Sequence, residues 1–181
     1  MTELRTKTYD SLGALLCYPE AGFRERVHEC LERLSASKSP ALPYIRKFAD
    51  DVKDKSVIDL EELFTRTFDI NPECVLEAGW QLYQENYERG LFIVRMRQLM
   101  REFDLSESTE LPDHLTHVLQ AIGRINDDQV GEFISEYALP AMEKMMKGLK
   151  DKENPYENVI AGIQSELISR RIQTAGGVEH G

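Results

Sequence analysis

Residues 110–122 read Glu110-Leu111-Pro112-Asp113-His114-Leu115-Thr116-His117-Val118-Leu119-Gln120-Ala121-Ile122. Leu115, Val118, Leu119 and Ile122 recur at i, i+3, i+4 and i+7, the spacing that lines one face of an α-helix with apolar side chains. Pro112 suits a helix's first turn, where its missing N–H loses no bond. Asp113 would then stand near the positive helix end, where a carboxylate is favoured. Asp113, His114 and His117 fall off the apolar stripe. The pattern therefore predicts a buried helix whose start turns three polar side chains away from the core, with the histidines in water.

The same period runs through the rest of the chain. A first helix is predicted over about Leu4 to Cys17, burying Tyr9, Leu12, Leu15 and Leu16 and ended by Tyr18-Pro19. Phe23, Val27, Cys30, Leu31 and Leu34 mark a second. Leu42, Ile45, Phe48, Ala49 and Val52 mark a third. Ser56-Val57-Ile58-Asp59 resembles a capping box ahead of Leu60, Leu63, Phe64, Thr67 and Phe68. Leu76, Trp80, Tyr83 and Tyr87 at i, i+4, i+7 and i+11 place the single tryptophan in the core. A helix from about Arg89 to Phe103 buries Phe92, Met96, Leu99 and Phe103 and shows Arg95, Arg97 and Arg101 on its other face. Pro140 either breaks the chain or opens a helix. Asn154-Pro155 starts the last and clearest amphipathic helix. No strand run bounded by turn signals occurs. The fold class is all-α: a single compact bundle of nine or ten helices over 1–172, with 173–181 a flexible tail.

The 181 residues carry a net charge of −10. Nucleic-acid binding through phosphate contacts needs a basic face and is disfavoured. No stretch reaches the roughly 20 apolar residues of a membrane span, and Met1–Arg5 does not open a signal peptide. Membrane insertion is thus not expected, and a cytoplasmic location is. Cys17, Cys30 and Cys74 lie in apolar patterns without a C-x-x-C pair, which reads as buried reduced thiols.

Chemistry is weakly signalled. His114 and His117 stand at i, i+3, not the i, i+4 of H-E-x-x-H, and the glutamate of that motif is missing. A small metal-dependent hydrolase using His114, His117 and Asp113 is the alternative from another class. No phosphate-binding glycine loop is present, so no cofactor is assigned. Binding features are stronger. Asp128, Glu132 and Glu136 place like charges along one helix face, either a solvated face or a strip for a cationic partner. Met142, Met145 and Met146 cluster in one turn, as core filling or as an adaptable surface.

Glu110-Leu111-Pro112-Asp113-His114-Leu115 followed by Leu119 resembles the signature of the nitrate reductase delta-subunit, or NarJ-type, chaperones. Leu63-Phe64-Thr65-Arg66-Thr67-Phe68-Asp69 is similar to the family's Leu-aromatic-x-x-Thr-Phe-Asp element. Glu88-Arg89-Gly90 is similar to its Arg-Gly helix start. These three come in the family's order, and the resemblance covers roughly residues 8–171. The sequence departs from the pattern at Thr116, where many members carry a second proline, and at Gln120-Ala121-Ile122. The resemblance implies an all-helical chaperone without catalytic residues. Its partner would be the N-terminal peptide of a molybdopterin-containing oxidoreductase catalytic subunit of the respiratory nitrate reductase type. That subunit would be held competent for cofactor insertion before membrane docking or export. The second reading within the same superfamily is a chaperone for an exported molybdoenzyme bearing a twin-arginine signal. The peptide-binding residues implied are Phe68, Asp69, Arg89, Glu110, Leu111, Pro112, Asp113, His114 and His117, on three helix ends that would converge on one cleft. Oligomeric state has no sequence signal.

Overall fold

The computed structural model describes residues 2–106, 108–150 and 152–176. They form helices α1 (Thr2–Ala14), α2 (Phe23–Ala36), α3 (Leu42–Val52), α4 (Val57–Phe64), α5 (Ala78–Tyr83), α6 (Tyr87–Glu102), α7 (Leu115–Ile122), α8 (Asp127–Phe133), α9 (Leu139–Leu149) and α10 (Tyr156–Gly176). Helix α4 continues into a π turn, Thr65–Asp69, and a second π turn, Ile134–Ala138, joins α8 to α9 without a break. The described residues thus build an all-α fold of nine separate helical rods, with no strand.

The apolar stripes place the rods. Leu115, Val118, Leu119, Ala121 and Ile122 of α7 are fully buried, as are Val159, Ile160, Ile163 and Leu167 of α10. Helix α7 packs against α1 and α6, and α10 against α3, α8 and α9. The α1–α7 approach is close because Gly123 lacks a side chain: a Cβ there would stand 3.2 Å from Tyr9 Cβ and 3.3 Å from Thr6 Cα. Met142 and Met145 are fully buried, so the methionine cluster fills core. Asp128, Glu132 and Glu136 are exposed on the α8 side.

Local signals act as their chemistry dictates. Ser56 and Asp59 close the capping box in both directions. Asn154 Oδ1 accepts the Tyr156 N–H at 3.0 Å at the start of α10. Pro140 does not break the chain. It sits in the first turn of α9, directly after the π turn, in which the Leu139 N–H reaches back five residues to Ile134 O. The wider turn spares the clash a proline ring makes with the carbonyl four residues earlier.

Four expectations are corrected. Helix α1 ends at Ala14, not Cys17, because its last turn tightens: Leu15, Leu16 and Cys17 donate to carbonyls three residues back. The Leu76–Tyr87 pattern is not one helix. Glu77 is extended, and Gln84 at φ 52° ends α5 after six residues. Trp80 is consequently half-buried, its ring lying 5.5 Å under the Arg89 guanidinium, and Tyr87 is exposed. Cys17 is half-buried, whereas Cys30 and Cys74 are in the core. Helix α10 runs to Gly176, so residues 173–176 are helical; 177–181 lie outside the described residues.

Candidate functional site

The Pro112–His114 segment does not open α7. His114 is the N-cap and accepts the Thr116 N–H on its Nδ1 at 3.2 Å. A proline at 116 would have no N–H to donate there. Thr116 also hydrogen-bonds the Gly13 carbonyl at 3.4 Å, tying α7 to α1. Ahead of the cap the chain turns, the His114 N–H donating to Leu111 O at 3.0 Å, and the extended His114 bridges to Glu77 in the Leu76–Ala78 segment. The Ala78 N–H donates to Asp113 O and the Leu115 N–H to Leu76 O, each at 2.8 Å.

This bridge changes where the polar residues of the opening stretch go. Asp113 is not an outward first-turn carboxylate: its side chain is 0% exposed and receives the Arg89 Nε–H at 3.1 Å, while its Oδ1 has no partner. Gly79 permits that burial, since a Cβ there would stand 2.6 Å from Asp113 Oδ2. The histidines are not in water either. His117 contacts the Leu111 carbonyl through Nδ1 at 2.9 Å and Ser108 Oγ through Nε2 at 3.0 Å. A carbonyl only accepts, so Nδ1 carries the proton and Nε2 accepts from the serine. Ser108 Oγ in turn accepts the Glu110 N–H at 3.1 Å. His117 therefore holds the 108–111 loop in place. His114 is buried, and that desolvation, with His117 nearby, pushes its pKa down to about 4. The three residues of the hydrolase alternative do not converge, because Asp113 turns to Arg89 and both ring nitrogens of His117 are engaged.

One cavity, of about 830 Å³, gathers much of the expected set. Phe68 and Asp69 from the π turn after α4, Glu110 from the loop, and His114 and His117 from the cap and first turn of α7 line it. Leu16, Phe64, Phe68 and Leu76 supply apolar surface; Phe64 and Phe68 rest on Tyr156, with ring centroids 5.9 and 4.8 Å away. Glu20, Asp69, Glu77 and Glu110 line it against one guanidinium, Arg26, which donates to the Ala14 and Tyr18 carbonyls at 3.2 and 2.8 Å. Burial raises the pKa of Glu77, and Asp113 and Glu110 push it the same way. The site is a trough with an apolar patch, hydroxyl groups from Ser106, Ser108, Thr109 and Thr116 beside it, and a negative rim.

Arg89, Leu111, Pro112 and Asp113 do not line this cavity. Pro112 is buried, Leu111 is exposed, and Arg89 and Asp113 form the ion pair behind the wall. The sequence reading missed Leu16, Tyr18 and Glu20 at the α1–α2 turn and Leu76 and Glu77 in the bridged segment. Tyr18-Pro19-Glu20, an aromatic beside a helix breaker, was the one available sign; Glu77 had none. A larger depression of about 1040 Å³ lies on the opposite side of the same π turn, lined by Arg66 and Thr67 with Lys47, Lys55, Lys152, Asp51 and Glu157. It contains none of the expected residues, and its mixed charges give it no directing sign.

Among the described residues no helix is long and apolar enough to cross a membrane. No curated protein is found to match the chain. The family model described as nitrate reductase delta subunit matches residues 31–160, which include the end of α4, the start of α6 and the whole 110–122 stretch. The chain therefore belongs to the nitrate reductase delta subunit family, whose members are molybdoenzyme-maturation chaperones and not enzymes.

Proposed function

We propose that the trough between α1, α4, the 108–110 loop and α7 binds the N-terminal segment of a molybdopterin-containing reductase catalytic subunit of the respiratory nitrate reductase type. The chaperone acts in the cytoplasm and holds that subunit open for cofactor insertion before it docks or is exported. The observation that carries this reading is the pairing of an apolar floor, Leu16, Phe64, Phe68 and Leu76, with four carboxylates on the rim. Such a site suits an amphipathic helix that lays apolar residues into the groove and sets basic ones against the edge. A helix about 10–12 Å across, at 5.4 Å per turn, fills roughly 420–610 Å³ per turn, so the trough takes about one and a half to two turns.

Asp113 and Arg89 enter this reading as the tie that sets the wall, and His117 as the tie that sets the loop. Titration calorimetry against the N-terminal ~20 residues of the client, about 30 Å as a helix, tests it. Asp69→Lys with Glu110→Lys, both at exposed positions, should weaken binding by about tenfold or more and leave the far-ultraviolet spectrum unchanged. Lys152→Glu in the opposite depression should leave it unaltered. Equal affinity of the double variant and wild type would remove the trough as the binding site. A preference for a peptide carrying two consecutive arginines over one lacking them would favour the exported-enzyme reading.

A further inference from the structure

The four carboxylates of the trough are not alike. Glu20, Asp69 and Glu110 are exposed, so water solvates them, whereas Glu77 is half-buried. No cation forms an ion pair with Glu77 among the described residues, and its carboxylate takes a hydrogen bond from its own backbone N–H. Arg89, whose charge favours the ionised Glu77, is already bonded to Asp113 at 3.1 Å. This wall thus sets two carboxylates withdrawn from water against one guanidinium, and Asp113 Oδ1 is left without a partner. A charge taken out of water is costly unless it is paired, so the corner is one cation short. Burial raises the Glu77 pKa, and the charges of Asp113 and Glu110 raise it further.

A free donor stands beside that carboxylate. Glu77 and His114 are directly opposed in the antiparallel bridge, which puts their side chains on the same face. Both line the trough, and His114 is only 5% exposed. Its Nδ1 accepts the Thr116 N–H, so in the neutral ring the proton sits on Nε2. That Nε2–H meets no acceptor among the described residues, Glu77 included, and it is not among the polar groups sealed in the interior. The trough therefore offers, side by side, an acceptor that lacks a cation and a donor that lacks a carbonyl.

We infer that Glu77 and His114 together read one arginine of the guest, its guanidinium on the Glu77 carboxylate and a main-chain carbonyl beside it on the His114 Nε2–H. The inference rests on the trough being the guest's site. Arginine suits the position better than lysine, because a guanidinium is weakly hydrated and presents several planar donors to a half-buried carboxylate. Main-chain carbonyls of a helix are free only in its last turn, where a basic side chain is also favoured. The arginine therefore belongs to the last turn of the guest helix. The exposed Glu20, Asp69 and Glu110 attract any basic guest without choosing a position, since pairs in water contribute little.

Calorimetry on the full chain with synthetic helical peptides tests it. The probes are N-acetylated, C-terminally amidated alanine–glutamine peptides of about 18 residues, about 27 Å as a helix. Each carries leucines at i, i+3, i+4 and i+7 and a single arginine, moved one position at a time along the set. Wild type should prefer the arginine in the last turn. Exchanging it there for citrulline, neutral and of the same shape, should weaken binding about tenfold to a hundredfold. Lysine there should bind more weakly than arginine. In Glu77→Gln the arginine peptide should fall to the affinity of the citrulline peptide, which should itself bind as it does to wild type and so shows the trough intact. His114→Asn, which keeps the cap acceptor, should weaken both peptides alike. Asp69→Asn should lower affinity by a similar small factor at every arginine position. An arginine preference that survives Glu77→Gln, that is equal at all positions, or that Asp69→Asn removes instead overturns the inference and leaves the trough standing as the guest's site. Loss of the citrulline peptide in Glu77→Gln overturns it too, by making the residue structural. A wild type that binds none of the peptides removes the trough reading and this inference together.

Discussion

Arg89 and Asp113 differ in what each leaves behind when removed, and that asymmetry is measurable. The Asp113 carboxylate is 0% exposed, and its one side-chain bond is the 3.1 Å contact from Arg89 Nε; the Arg89 side chain is 21% exposed and lies over Trp80. In Asp113→Ala the guanidinium can turn to water. The loss is then one charge-assisted bond, about 1.5–3 kcal/mol, offset in part by removal of the unpartnered Oδ1. The net expectation is about 1–2 kcal/mol. In Arg89→Ala the carboxylate stays buried with neither oxygen bonded, which costs about 3–5 kcal/mol. Loss of the contact with the Trp80 ring adds about 0.5–1 kcal/mol. Apart from the lost Trp80 contact, the double variant should resemble Asp113→Ala rather than the sum, giving a coupling of about 3–5 kcal/mol. Urea unfolding followed by circular dichroism resolves this: with a slope of about 2–3 kcal/mol per molar, Arg89→Ala should lower the midpoint by about 1–3 M and Asp113→Ala by about 1 M or less. If Asp113→Ala costs as much as Arg89→Ala, or if the two effects simply add, the ion pair is not the tie described here.

Three further outcomes are expected. His114, lowered to about 4 in the fold from an ordinary 6.5, favours the folded state fully only above about pH 6.5; its contribution, about 3 kcal/mol at most, is lost as pH falls from 6.5 toward 4. His114→Asn, which keeps an N-cap acceptor but does not titrate, should flatten that slope in urea midpoints measured at pH 7.5 and 5; an unchanged slope would mean another group sets it. Gly79→Ala should destabilise by about 1–3 kcal/mol despite alanine's better helix propensity, because the new Cβ meets Asp113 Oδ2 at 2.6 Å and Phe92 Cδ1 at 3.1 Å; a stabilised variant in thermal melts would contradict the packing. Raising salt from about 0.05 to 0.5 M shortens the screening length to roughly a third, so calorimetric affinity for the client peptide should fall by a modest factor while binding survives on apolar burial; complete loss of binding at high salt would mean that charge, not the trough floor, holds the guest.

How much of this was legible in the sequence differs between residues. Leu115, Val118, Leu119 and Ile122 were readable as one buried face because apolar side chains on a helix repeat with the backbone's own period, and all four are fully buried. The capping box at Ser56 and Asp59 was readable because its bonds close within three residues. The π turn before Pro140 was not, since the proline signals only that an ordinary turn is impossible, not how the backbone avoids it. Trp80 was misread because a four-residue spacing carried the eye across the extended Glu77 and the positive φ of Gln84, where the chain is not helical.

The polar half of the 110–122 stretch shows the limit most directly. Asp113, His114 and His117 have no periodicity of their own, and their pattern reads equally as a helix start in water. Their burial depends on partners placed by the fold: Arg89 from α6, the Leu76–Ala78 segment across a backbone bridge, and Ser108 and Leu111 from a loop. Local chemistry along the chain, the 3.6-residue period and the caps, was enough to determine most of the helices and their buried faces, the Leu76–Tyr87 segment being the exception. Which charge is sunk in the interior, which histidine ties a loop, and which carboxylates meet at the trough were decided only by the tertiary structure, because a polar group's position depends on whether a partner reaches it through space.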